Sequence, residues 1–303
     1  MFEKSRGRGG RASTKLMPWG QFDLGVPLIP ATAQNFIDFM RQLELEGRAH
    51  RWPATKQHIF QKSSTDQHLN TQYFVFNGKM NSICHHWLQS SDFRPDSLVT
   101  NIKYQRGRGW QLRIDETWAE EFFDVLICTV PWPQAKILLD NSGIAMSAAE
   151  QPWASCWSIG IKIHSVTKPN ARVIHFQDHP LQTLILDSEK PERPDLHDDE
   201  QIWVAQLNHE LSASLGKIGK DKAILVASQS LCQYLNIEHC AVQYTEGHFW
   251  RFARSEKGQK PLGIIHHQDT NLLVGGDWSF GASVQSVFNA SLAILEKVLQ
   301  PGR

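Results

Sequence analysis

The chain carries no surplus of either charge. Lysine plus arginine and aspartate plus glutamate number 31 each, so charge gives no reason to expect a nucleic acid or an acidic membrane surface as partner. No apolar run approaches the roughly 18 residues that a membrane helix needs. The longest, around Phe122 to Trp132, reads as a buried strand. The basic start lacks the apolar core of a secretory signal. Cysteine is scarce and unpatterned: Cys84, Cys128, Cys156, Cys232 and Cys240 are odd in number and form no CxxC pair. Such thiols fit a reduced, cytoplasmic protein better than a disulfide framework. Cys84-His85-His86, His239-Cys240 and His266-His267 share no zinc spacing, and neighbouring histidines on a strand face opposite ways, so no metal is expected. There is no Gly-x-Ser-x-Gly elbow for a hydrolase. Asp277-Trp278-Ser279-Phe280-Gly281 has no glycine-rich or catalytic-loop motif beside it, which sets a kinase aside.

What remains is an ordinary globular composition, 41% hydrophobic and 20% charged over 303 residues. That length suits about two domains. Tryptophan alone is abundant, with 11 copies. It suits large core positions and the walls of sites for flat ligands.

Residues 33–48 carry Phe36, Phe39, Met40, Leu43 and Leu45 at near-helical spacing, predicting an amphipathic helix. A second helix is expected over Met80 to Gln89, after the Asn77-Gly78 turn signal. Alternation in 98–104 and 110–114, around Gly107 and Gly109, predicts a hairpin. Asp124 to Val130 is almost wholly apolar, the pattern of a strand covered on both faces, and Pro131 and Pro133 stop it. Strands are further expected over 155–164, 172–176, 202–207 and 241–250, with a polar loop from Ser188 to Glu200 and a helix from Asp221 to Leu235. Leu272 to Asp277 reads as a buried strand ending in a turn, and Val284 to Leu299 as a long closing helix. Helix and strand alternate at both ends around a strand-rich middle, which is α/β with an inserted antiparallel sheet domain.

The basic start, Lys4-Ser5-Arg6-Gly7-Arg8-Gly9-Gly10-Arg11, has several readings. Its glycines oppose the amphipathic helix of a mitochondrial presequence. An RGG-type RNA-binding segment would repeat, and this one occurs once. It could be a solvated tail, or a glycine turn that brings backbone and one arginine to a phosphate. For the last reading, Glu3 has a natural place. In a nucleotide-binding βαβ unit the acid that ends the second strand accepts hydrogen bonds from the adenosine ribose.

Phe2-Glu3-Lys4-Ser5-x-Gly-x-Gly9-Gly10-Arg11-x-Ser13-Thr14, with Phe22-Asp23-Leu24-Gly25 downstream, closely resembles the second motif of the flavin amine oxidase and renalase families. Leu273-Val274-Gly275-Gly276-Asp277-Trp278, then Gly281 and helix 284–299, is similar to their carboxy-terminal flavin motif. Softer likenesses lie between, in order: Val99 in the hairpin, Asp124 to Pro133 continuing to Leu138-Leu139, and Lys190-Pro191 and Arg193 ahead of His248-Phe249-Trp250-Arg251-Phe252-Ala253.

The resemblance implies a two-domain α/β flavoprotein of the glutathione-reductase/hydroxylase type. Residues 1–50, 76–148 and 265–303 would form a discontinuous Rossmann-like FAD domain. Residues 51–75 and 149–264 would form a mixed β-sheet substrate domain. FAD would be held by Glu3, Gly9, Gly10, Arg11, Val99, Gly276, Asp277 and the helix start at Val284. Trp250 and Trp278 are the candidates to face a small-molecule substrate. The implied reaction is hydride transfer to the flavin, followed by reoxidation by dioxygen. An aberrant dihydronicotinamide dinucleotide is the implied substrate and an amine the runner-up. A flavin-free interaction protein is the alternative from another class.

The match also has departures. Relatives begin with a strand, a Gly-x-Gly-x-x-Gly loop and a helix about 30 residues ahead of the ribose-binding acid, whereas here that acid is residue 3. The first βα unit is therefore expected to be missing. Met1 would then be an internal methionine of the second strand, or the product a non-catalytic remnant. Gln285 and Asn289-Ala290 stand where relatives carry an acid and Ser-Gly. The aromatic pair and flavin-facing lysine of amine oxidases find no position.

Overall fold

In the computed structural model all residues are described except 61, 62, 66–70, 146–151, 168, 257 and 300–303. The chain divides into two compact units. One comprises Met1–Arg8, Ser90–Trp153 and Arg254–Arg303, the other Gly9–Gln89 and Ala154–Ala253. The expected domain ranges cut the chain elsewhere, at residues 50 and 75. Sheet pairing crosses both of those boundaries, because strands Ile29–Ala31 and Ala49–Arg51 each pair antiparallel with Gln72–Phe76. These three strands thus stay together.

The first unit is built on two three-stranded sheets. Val99–Gln105 and Gly109–Ile114 form the expected hairpin, with a register shift between Val99 and Asn101, and Thr117–Trp118 adds to it. In the other sheet Leu126–Cys128 runs parallel to Leu272–Val274, which pairs antiparallel with Ile265–His267. Helix Trp132–Asn141 starts after Pro131 and carries Pro133 in its first turn, where a missing N–H costs nothing. Ile102, Trp110, Cys128, Leu139, Val274 and Trp278 meet in one core. Helix Val284–Leu299 closes the unit's sequence, with the limits its pattern predicts.

The strand expected over Asp124 to Val130 with both faces covered is shorter and half open. Leu126–Cys128 alone is strand, and Val125, Ile127 and Val130 are exposed. Among the described residues this strand pairs on one side only, and the face bearing Leu126 and Cys128 is the one that packs on the core. An apolar run records burial preference, and here it sits on an edge.

The second unit is dominated by a seven-stranded sheet in the order Val242–Ser255, Trp153–His164, Glu200–Leu207, Leu181–Leu186, Val173–Phe176, Lys56–Phe60, Ser63–Thr65. It is mixed: Val173–Phe176 pairs in parallel with Lys56–Phe60 and antiparallel with Leu181–Leu186. Helix Lys220–Leu235 buries Ala223, Ala227, Leu231 and Leu235 against Ile159, Ile161 and Trp203. The i, i+4 spacing makes one stripe, and its alanines allow close approach to the sheet. Asn236, left-handed at φ 53°, ends the helix as such caps do. Helix Gln34–Leu45 buries Phe36, Ile37, Met40 and Leu43, as its periodicity predicts. Most of the short strands escaped the sequence reading, as did the longer strands Gln72–Phe76 and Leu181–Leu186 and the short helix His209–Leu215, capped by the Asn208 side chain accepting from the Leu211 N–H at 2.8 Å.

Strand Gly20–Phe22 pairs with Lys15–Met17, and Phe22 lies directly over Gly160 of the large sheet. A Cβ at position 160 would overlap the Phe22 ring. The core here is close-packed, and added methyl groups must displace backbone or ring. Gly160→Val is expected to cost about 1–3 kcal/mol, read as a lower denaturant midpoint at unchanged slope.

Candidate functional site

The glycine turn expected at the basic start is present in the second unit. Gly9 and Gly10 both adopt left-handed backbone, at φ 98° and 48°, and Gly10–Ala12 forms a single 3-10 turn closed by the Ala12 N–H on the Gly9 carbonyl at 2.8 Å. A side chain at Gly9 would sit 2.9 Å from the Asn81 Cβ, whereas the space beside Gly10 is open. Arg11 points back to strand Val242–Ser255. Its Nη1 donates to the carbonyls of Phe252 and Ala253 at 3.3 and 3.0 Å. The turn is tied down from the far side as well. Val26 N–H donates to the Arg11 carbonyl at 2.8 Å and Gly25 N–H to the Ser13 carbonyl at 3.1 Å. Left-handed backbone beside open space, next to a cation, is the arrangement in which successive N–H groups can meet an anion.

Next to this turn lies a group of four charges that the sequence reading did not assemble. Asp23, Asp187 and Lys190 are fully buried and Arg193 nearly so. Lys190 Nζ donates to Asp23 Oδ2 at 2.8 Å and also to Asp187 Oδ1. Arg193 Nη2 bridges the same two carboxylates, its Nη1 donates to the Gly78 carbonyl at 2.6 Å, and its Nε to the Asp187 carbonyl at 3.1 Å. The remaining oxygen of Asp23 accepts from Thr14 Oγ1 at 2.6 Å. Burial alone would raise the Asp23 carboxyl, but Lys190 and Arg193 outweigh it and hold the group below its ordinary value. For Asp187 burial wins over the same two cations and the carboxyl is pushed up.

In the first unit, Glu3 is held by backbone. Its N–H donates to the Arg94 carbonyl at 3.0 Å, its carbonyl accepts from Ser97 at 2.9 Å, and its carboxylate accepts the Ser5 N–H at 2.9 Å. Its partner Ser97 lies two residues ahead of the hairpin strand that starts at Val99. At the end of strand Leu272–Val274, Gly275 N–H donates to the Cys128 carbonyl at 3.0 Å, and Gly276 N–H to Ser279 Oγ at 3.0 Å. Asp277 is buried within this turn. Ser283 Oγ accepts the Ser286 N–H at 3.1 Å, which caps the helix starting at Val284. Among the described residues, no group of three or more His, Cys, Asp or Glu is arranged to hold a metal, and no helix is long and apolar enough to cross a membrane.

No family model matches the chain. Its fold is one that solved oxidases share. The chain aligns with the cyclohexylamine oxidase of Brevibacterium oxydans IH-35A at TM-score 0.68 and 10% identity, over 99% of this chain and 93% of that one. An oxidoreductase from Methanosarcina mazei gives 0.67 at 12%, over 98% and 93%. A putrescine oxidase bound to putrescine gives 0.64 at 8%, over 99% and 93%. At such identities the likeness is one of mixed α/β fold; sites have to be argued residue by residue.

The two tryptophans named as candidates to face substrate both place their indole N–H on backbone. Trp278 is buried in the core of the first unit, 5.1 Å from the Trp132 ring, with its indole N–H on the Val130 carbonyl at 3.2 Å. It presents no open face, because a buried indole must satisfy its one donor and does so on backbone. Trp250 is half-buried beside His248, and its N–H donates to the Leu24 carbonyl at 2.7 Å, so its polar end braces the segment that follows Asp23.

Removing one charge from the quartet gives a test with a defined pH signature. The folded-state value of Asp23 lies below its ordinary 3.8. The stabilisation from its ionised form is therefore complete well above pH 3.8 and is lost as pH falls through the folded value. Asp23→Asn is expected to cost about 3–5 kcal/mol at neutral pH, the usual price of stranding a buried cation. The difference from wild type should narrow below pH 3.8, as measured by denaturant unfolding at a series of pH values.

Proposed function

We propose that the protein is an FAD-dependent oxidoreductase. The observation that carries this reading is the left-handed Gly9-Gly10 pair, open beside Gly10 and followed by Arg11. It stands where the sequence resembles the second motif of the flavin amine oxidases and renalases. The residues fit the cofactor in kind: glycines leave room for a pyrophosphate to reach backbone N–H groups, and an arginine supplies the counter-charge. From the first unit, Glu3 is proposed to accept from the adenosine ribose and Val99 to meet adenine through its backbone. Asp277 would hold ribityl or phosphate hydroxyls, and the helix start at Val284 would present its positive dipole end to the flavin's pyrimidine edge. When bound, the flavin supplies the redox chemistry by accepting a hydride. The chain's own residues bind it, orient it and neutralise its phosphates, which fixes the geometry of transfer.

Within that class the reading is renalase-like, with a dihydronicotinamide dinucleotide as the electron donor, dioxygen as acceptor, and a cytoplasmic location suited to five free thiols. An amine donor is the second reading. It is supported by the shared fold of the cyclohexylamine and putrescine oxidases.

Purified protein mixed with FAD is expected to show the two visible flavin bands after gel filtration. Gly9→Val should weaken FAD binding at least about tenfold, or about 1.4 kcal/mol, read by quenching of flavin fluorescence. A protein that retains no FAD and quenches none overturns the oxidoreductase reading in favour of a flavin-free one. Anaerobic bleaching of the bands by a dihydronicotinamide, and not by amines, would select the renalase-like donor; the converse would select the amine.

A further inference from the structure

We infer that the buried quartet Asp23–Lys190–Asp187–Arg193 positions the Gly9–Arg11 turn for the phosphates of a dinucleotide ligand. The ligand half rests on the function proposed above. The positioning half rests on this structure's own geometry.

Stability gives no account of four charges in this place. Taking them out of water is costly, and apolar side chains of the same volume usually serve a core as well or better. What such groups do provide is direction, because each cation must point at particular oxygens. Here the directions converge on the two segments flanking Gly9. On one side Asp23 accepts from Thr14 Oγ1 at 2.6 Å, and the Thr14 hydroxyl in turn accepts the Met80 N–H at 3.1 Å. On the other side Arg193 and Gln21 both donate to the Gly78 carbonyl. Gly78 and Met80 lead into Asn81, whose Cβ takes up the space a side chain at Gly9 would need. Two and three residues beyond Asp23, the Gly25 and Val26 N–H groups hold the carbonyls of Ser13 and Arg11. The quartet thereby sets the spacing between the 78–81 segment and the 11–14 segment, and the turn occupies that spacing. Asp23, Asp187, Lys190 and Arg193 act through other residues and are positioning residues.

Two variants test this. Asp187→Asn combined with Lys190→Met removes one charge of each sign and keeps the cluster neutral. Thr14→Val cuts only the hydroxyl between Asp23 and Met80, and keeps the test alive should the double variant fail to fold. Amide hydrogen exchange is followed in cofactor-free protein at Ala12, Gly25, Val26 and Met80, with helix Lys220–Leu235 as reference. Both variants are expected to exchange at least tenfold faster at the four sites while the helix is unchanged. Unchanged exchange at those sites, or equal acceleration in the helix, overturns the positioning role, since a merely structural contribution would loosen the unit as a whole. FAD affinity of the same proteins is expected to fall at least tenfold. Local acceleration with unaltered FAD affinity overturns the ligand half. Local acceleration in a protein whose wild type binds no FAD leaves the positioning role standing and removes the proposed function.

Discussion

The second unit turns on Asp23. One carboxylate oxygen meets Lys190 and Arg193, and the other accepts from Thr14. Those contacts link the residue that follows strand Gly20–Phe22, the segment after Leu181–Leu186 and the segment that leaves the glycine turn. Residues 9–14 are held besides by the Gly25, Val26 and Met80 N–H groups and by Arg11 on strand Val242–Ser255. A charge cluster is suited to this task because its energy depends steeply on direction and distance. Apolar packing holds a segment near a surface without choosing one position for it.

The large sheet supplies the rigidity this arrangement works against. Its core is aliphatic and close-packed, with Trp203, Ile159 and Ile161 fully enclosed. Gly160 lets Phe22 lie on it, so the strand that leads into Asp23 is fixed on its apolar side as well. Trp250 adds a third restraint through the Leu24 carbonyl. Aromatic residues that sequence alone offers as candidates for a ligand wall thus serve here as braces, since an indole buried near backbone satisfies its N–H there.

Much of the architecture was legible beforehand, and the reasons differ by element. Helix Val284–Leu299 and the hairpin 99–114 declare themselves because their periodicity is local and uninterrupted. The glycine turn was legible as one option among several, because Gly9-Gly10-Arg11 is compatible with a tail as well as a turn. The strand at Leu126–Cys128 misled, since a run of apolar residues says nothing about how many neighbours a strand will find. Trp278 was readable as pocket wall or as core, since a tryptophan suits both, and it lies in the core.

The quartet marks the limit most clearly. Lys190 and Arg193 stand in the polar stretch from Ser188 to Glu200 that reads as a loop, Asp187 just ahead of it, and Asp23 some 160 residues earlier in the chain. Sequence by itself determined the long helices and several of the main strands, where the left-handed glycines could turn, and that charge would balance over the whole chain. Only tertiary structure decided that four of those charges would leave water together. Local pattern carries the cost of burying a charge, but the partner that offsets the cost is chosen by the fold.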